Sequence, residues 1–229
     1  EDLNTLPFKA KAQTASVVGT GAAPEGIDQN PIYYTLLSDI NWRVKPFASL
    51  KQFVRNWTHE RYGKELPKAI QAWSLLVDTV YSSKSNAALI KRVGEFAAEK
   101  DFDGIVALPM RTNKKYIQPW YDLSRVKQAW ALLRDAAVNY QNKDITGIPQ
   151  TLNYDLVNVG REVLSKLSNR VYLSMTNTSR TANQVYSDGT KLVELSRDTD
   201  ELLCTEKSFF SIYNIPESKA TCSWKQNSF

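Results

Sequence analysis

Glu25 is set in surroundings that suit chemistry. It lies in the run Val18 to Tyr33, VGTGAAPEGIDQNPIY. There Ser16-Val17-Val18-Gly19-Thr20-Gly21 reads as a short buried strand, and Ala22-Ala23-Pro24-Glu25-Gly26 as the loop after it. A carboxylate just past a strand end, in a glycine-flanked turn, sits where barrel enzymes hold catalytic groups. Gly21 and Gly26 would let the backbone pass close to a substrate with no Cβ in the way. The chemistry on offer is proton transfer or covalent attack by the carboxylate. Taken alone, however, a Pro-Glu-Gly turn is more often simply an exposed turn.

Other reactive patterns are weaker. The single histidine, His59, falls on the polar side of a predicted helix beside Glu60 and Arg61, as a solvated residue would. Neither it nor the two cysteines, Cys204 and Cys222, have metal-site spacing. The cysteines form one bridge or both are free, and the count leaves the redox compartment open. No serine or cysteine has a histidine placed to make a triad. Gly19-Thr20-Gly21 lacks the spacing and the later acidic residue of a dinucleotide-binding loop. Asn56-Trp57-Thr58 and Asn177-Thr178-Ser179 are glycosylation sequons. Asn56 falls inside a predicted helix, which makes Asn177 the stronger of the two.

The elements that would position these groups are nearly all helical. Residues 1 to 15 show no clean period. Ile32, Tyr33, Leu36, Leu37 and Ile40 share one helix face ending near Trp42, and Pro46 then breaks the chain. Ser49 with Gln52 has a capping-box pattern ahead of Leu50, Phe53, Val54, Trp57 and Arg61, and Gly63 supplies a left-handed stop. Pro67 opens the next helix, with the face Ile70, Trp73, Leu76, Val77, Val80 and Tyr81. Ser82 to Gln118 is less regular, with a short helix expected over Leu89 to Lys100. Asp122 caps a helix bearing Val126, Ala129, Trp130, Leu133 and Ala137. A long helix carries Leu152, Leu156, Val159, Val163, Leu167 and Val171, and a last one covers Thr181 to Leu203, with a kink expected at Asp188-Gly189.

One strand cannot stand alone, because its edges need partners. The first ~30 residues therefore read as the end of an α/β domain whose remainder lies elsewhere, and the helices after Pro46 as a separate bundle. The expected fold class is mainly α: a helical bundle preceded by the last strand, loop and helix of a truncated (β/α) barrel. The chain has 229 residues, 42% hydrophobic and 23% charged, the balance of a folded soluble domain. Its net charge of +5 is spread without a polybasic run, which disfavours a nucleic-acid partner. No stretch approaches the ~20 apolar residues of a transmembrane segment. The opening Glu1-Asp2-Leu3-Asn4 is neither an initiator methionine nor a signal peptide, and a missing beginning is the expectation.

The string GTGAAPEGIDQNPIYYTLLSDINWR closely resembles the lysosomal α-N-acetylglucosaminidases, a family of retaining exo-glycosidases that includes the enzyme degrading heparan sulfate. The resemblance continues, in order, through Arg61 to Tyr81, Pro119 to Leu133 and Tyr154 to Leu167, so it covers roughly residues 16 to 210. The first motif is specific; the later ones are weak without it. Ser82 to Asp103 and the chain after Phe210 depart from the family pattern.

What the resemblance implies is a parent enzyme with a small N-terminal domain, a catalytic barrel and a C-terminal helical domain. Residues 1–46 would be the end of the barrel, 47–210 the helical domain and 211–229 a divergent tail. Glu25 inherits the role of nucleophile. Trp120 and Tyr121 fall in the stretch expected to approach the barrel mouth, and are read equally well as sugar-binding or as core residues. The implied partner is a glycan substrate, with no cofactor and no metal, at a lysosomal or secreted location; a homo-oligomer of the full-length enzyme stays open. The family's acid/base glutamate lies outside this sequence, so the chain by itself is expected to be inactive. The competing reading is a non-catalytic helical module for interaction or glycan binding.

Overall fold

A computed structural model describes residues 2–14, 16–21, 30–82, 121–140, 147–175 and 177–209. Within these the architecture is all helical. The described residues fall into two compact units, one running through Leu152 and the other beginning at Asn153.

The first unit holds α1 (Asp2–Gln13), α2 (Pro31–Asn41), α3 (Leu50–Tyr62), α4 (Pro67–Asp78) and α5 (Leu123–Val138). Each packs on the next in order. Ile32, Leu36, Leu37 and Ile40 are buried on α2, as their spacing requires. Ser49 caps α3, but its hydroxyl accepts from the amide of Lys51 at 3.2 Å, not from that of Gln52 as a capping box would have it. Gly63 ends α3 at φ 75°, the left-handed stop that only glycine adopts without strain. Pro67 opens α4 where a missing N–H costs nothing. Asp122 caps α5 by accepting from the amide of Ser124 at 2.9 Å.

Between α4 and α5 the inward stripe differs from the expected one. Ala69 and Ala72 are buried with Trp73 and Leu76, while Ile70 and Val77 lie half-buried. Ala129, Ala136 and Ala137 face inward on α5 with Leu133. Small side chains on packed helices allow their backbones to approach closely.

α1 is an element that periodicity does not reveal. Its buried positions are Asn4 and Pro7, while Leu6 is exposed, so no apolar stripe marks it. What fixes it is a clasp. The side-chain amide of Asn4 donates to the carbonyl of Phe47 at 2.9 Å, and the amide of Phe47 donates back to Asn4 Oδ1 at 2.9 Å. Residues 16–21, expected as a buried strand, are not one. No described residue forms a strand to pair with them, and a lone strand cannot satisfy its own backbone groups.

The second unit contains most of α6 (Gln150–Met175), α7 (Ala182–Leu203) and a 3-10 turn over Lys207–Phe209. The expected long helix is present, but its buried positions include Glu162 and Lys166, an i,i+4 pair 3.8 Å apart, while Leu156, Leu167 and Val171 are only half-buried. α7 starts on a full capping box. Gln184 N donates to Thr181 Oγ1 at 3.3 Å, and Thr181 N donates to Gln184 Oε1 at 3.1 Å. α7 runs unbroken through Asp188-Gly189, where a kink was expected. Asp188 is instead its buried anchor: Ser174 donates to it at 2.8 Å, Arg180 at 2.5 Å, and Lys191 approaches to 3.7 Å. At the far end of α7 the ring of Phe209 stacks on Tyr154 at 4.9 Å, and Asn153 donates to Glu206 at 2.8 Å.

Replacing Asn4 by alanine strands both the amide and the carbonyl of Phe47. Asn4→Ala is expected to lower the stability of the first unit by about 1–3 kcal/mol in urea titration; a change within ~0.3 kcal/mol would show that the clasp contributes little. In the second unit, the hydrogen bonds from Ser174 and then Arg180 hold the Asp188 carboxyl below the usual carboxylate range. The resulting stabilisation is complete above the unfolded-state value of about 3.9 and fades as pH falls through the lowered folded value. Asp188→Asn is therefore expected to be less stable at neutral pH and to converge on the parent protein in acid. An unchanged pH slope of amide exchange across residues 177–192 would refute that assignment.

Candidate functional site

Glu25 lies outside the described residues, as do its neighbours over 22–29. The two ends that hold this stretch are described, and each is tied by a side-chain hydrogen bond. Before it, the hydroxyl of Thr20 donates to Asn41 Oδ1, at the last residue of α2. After it, Asn30 immediately precedes α2 and is buried, and its Oδ1 accepts from the hydroxyl of Tyr81 at 2.8 Å. The chain thus leaves the described region tied to one end of α2 and re-enters at the other, about 16 Å away by the rise of an eleven-residue helix.

Asn30 departs from the ordinary behaviour of an asparagine at a helix start. Such a side chain normally accepts an orphan amide of the first turn. Here it makes no such cap, and Tyr81 engages its oxygen across fifty-one positions of sequence. Pro31 at the first helical position removes one of the amides that would compete. Tyr81 is itself set by α4. Its amide donates to Leu76 at 3.1 Å, and Val80 beside it is buried. α4 is bound to α3 by the indole of Trp73, which donates to the hydroxyl of Tyr62 at 2.7 Å, and by Trp57 packed edge-on against Trp73 at 4.5 Å.

The described residues just before the Glu25 stretch are mostly exposed. Val18 is 93% exposed, and a Cβ on Gly19 or Gly21 would meet no atom within 4 Å. Among the described residues, Gly19 and Gly21 thus border open space. Trp42 and Val44, just past α2, are 88% and 97% exposed.

The other sequence candidates are dispersed. Trp120 lies outside the described residues. Tyr121 is 8% exposed, directly before the Asp122 cap of α5. Asn56 projects from the exposed side of α3, and Asn177 lies in the exposed turn after α6, where its Oδ1 accepts from the amide of Ser179 at 3.0 Å. His59 is exposed on α3. Cys204, which caps α7, is disulfide-bonded; the one other cysteine in the sequence, Cys222, lies outside the described residues. Among the described residues, no group of three His, Cys, Asp or Glu side chains could hold a metal ion, and no helix is long and apolar enough to cross a membrane. Thr20, Asn41 and Tyr81 carry no sequence signal for their roles at this site, because bonds between distant side chains leave no periodic trace.

Comparison with known proteins places this geometry. Residues 53–212 match the family described as the alpha-N-acetylglucosaminidase (NAGLU) C-terminal domain. The alpha-N-acetylglucosaminidase of Homo sapiens is 29% identical over 213 residues, which is 91% of this chain and 26% of that protein. A solved structure of CpGH89 from Clostridium perfringens, carrying two Glu→Gln replacements and in complex with its substrate GlcNAc-alpha-1,4-galactose, is similar in fold. Its TM-score is 0.68 at 22% identity, over 89% of this chain and 22% of that one.

Proposed function

We infer the function from one premise: the chain belongs to the alpha-N-acetylglucosaminidase family, whose C-terminal domain it carries. The chain spans 26% of its human relative. The reading is that it forms part of a glycoside hydrolase removing terminal, non-reducing N-acetyl-α-D-glucosamine. The substrate is a glycosaminoglycan such as heparan sulfate, and the mechanism is retaining. Glu25 is the nucleophile. Its carboxylate attacks the anomeric carbon as the glycosidic oxygen leaves, and water then releases the sugar from the resulting ester, so that two inversions give net retention. A second carboxyl group ~5–5.5 Å away must protonate the leaving oxygen and then activate the water. The two Glu→Gln replacements in the substrate complex of CpGH89 fit a pair of this kind. The pair carries the covalent and proton steps, so neither metal nor cofactor is called for.

The observation that carries this reading is the anchoring of both ends of the Glu25 stretch. A loop built for turnover needs a carboxylate held in place yet open to substrate. Residues 1–46 are read as the end of the catalytic barrel, 47–210 as the helical domain and 211–229 as a divergent tail. The bare apolar surface of Val18, Trp42 and Val44, all before Pro46, supports that division, since an adjoining domain would cover it. Trp120 and Tyr121 are assigned to sugar contact. The second carboxyl lies outside this sequence, so the chain alone is inactive. The disulfide at Cys204 and the exposed sequons support a secretory route to the lysosome or to the exterior.

The chain by itself is expected to release no chromophore from a chromogenic α-N-acetylglucosaminide. The complete enzyme should hydrolyse it, and Glu25→Gln should lower kcat by roughly a thousandfold or more. Turnover by the isolated chain, or an active Glu25→Gln enzyme, would refute the assignment. Expression through a secretory host should add endoglycosidase-sensitive mass that Asn177→Gln reduces and Asn56→Gln reduces further. A mass unchanged by either substitution would remove the sequons from the case for that route.

A further inference from the structure

We propose that α7 is a strap fastened at two separate points, and that its C-terminal fastening is a ring slot on α6. The ring of Phe209 fills that slot, between the Tyr154 ring and the Arg161 guanidinium, and its release frees this end alone. The strap makes no use of the residues assigned to sugar cleavage.

Helix geometry builds the slot. Tyr154 and Arg161 stand two turns apart on one face of α6, about 10 Å along its axis. Phe209 stacks on Tyr154 at 4.9 Å with the planes inclined by 19°, and the Arg161 guanidinium carbon lies 4.8 Å from the centre of the same ring. That spacing leaves room for one ring with a neighbour on each side. Asn158, one turn after Tyr154, accepts from Arg161 at 2.9 Å and orients the guanidinium. Polar contacts seat the turn that carries the ring. The Asn153 side-chain amide donates to the carbonyl of Thr205 at 3.1 Å and to buried Glu206 at 2.8 Å. The other Glu206 oxygen accepts from the amide and the hydroxyl of Ser208, at 3.2 and 2.9 Å.

The other fastening is Asp188 with Ser174 and Arg180, about 22 Å along α7 from its last residue, Leu203. Between the two, Leu192, Leu195 and Leu202 recur on the Asp188 side and are half-buried. Tyr186 and Val193, on the outer side, are exposed. A helix covered this lightly opens in segments, and contributions from points so far apart add independently. Opening the C-terminal end uncovers apolar surface: Leu195, Leu202 and the face of Tyr154.

The test is amide exchange in the chain itself, without reductant so that the disulfide at Cys204 stays intact. Phe209→Ala should speed exchange over residues 195–205 roughly tenfold, as for the loss of a stacked ring and a cation–π contact. Residues 182–190 and α6 should stay within about twofold. Arg161→Gln keeps the stacked pair and should give a milder rise over the same amides, about threefold, while Phe209→Trp keeps the parent rates. Asp188→Asn should show the reverse pattern, faster over 182–192 and unchanged over 199–205. Unchanged exchange over 195–205 in both Phe209→Ala and Arg161→Gln would overturn the slot. Acceleration along the whole of α7, or reaching into α6, would overturn the separate fastening.

Discussion

The bond from the indole of Trp73 to the hydroxyl of Tyr62 joins α3 to α4 inside a ring cluster that excludes water. Trp57 packs edge-on against both rings, and the guanidinium of Arg61 lies 5.2 Å over the Trp57 face. A buried indole N–H must find an acceptor or carry the full cost of desolvation, so this contact has little freedom to vary. Its consequences spread along α4. The alanines of α4 are buried, α4 packs on α5, and Tyr81, just past the end of α4, donates to Asn30. The start of α2 is thus tied to the frame of α3 and α4 by a side-chain hydrogen bond.

That arrangement divides labour between two kinds of interaction. Apolar burial on α2 to α5 supplies the free energy of the first unit, but it is non-directional and fixes no particular atom. Directional bonds made by buried polar groups fix the places that matter. Asn4 locks α1 to the backbone of Phe47, and Asn30 locks the start of α2 to Tyr81. The second unit follows the same rule. α7 is largely exposed, with Asp188 its buried residue, and the carboxylate bonded to Ser174 and Arg180 secures the helix at one end. The turn over Lys207–Phe209 secures the other through Tyr154 and Asn153. Each helix is placed by a few strong contacts more than by a continuous apolar seam.

For a glycosidase, such division is useful. An anomeric carbon is reached only if the attacking oxygen is held within a fraction of an ångström, while the surrounding backbone must stay accessible to sugar. On the reading proposed for Glu25, the exposed residues before the stretch and the polar ties at its two ends agree with those demands.

Local signals fixed by covalent geometry could be read directly from the residues. Gly63 ends a helix because it alone tolerates positive φ, Pro67 begins one, Asp122 caps another, and the apolar period of α2 sets its buried face. The motif around Glu25 carries the family resemblance in its residues alone. Tertiary structure decided the rest. α1 is held by an asparagine clasp that has no apolar period, and α4 buries Ala69 and Ala72 while Ile70 and Val77 stay half-buried. Residues 16–21 formed no strand, since a ladder needs partners that none of the described residues supplies. The pairing of Asn30 with Tyr81 belongs to the same class: a hydrogen bond depends on the position of two atoms in space, and residue type alone states only that each could make one.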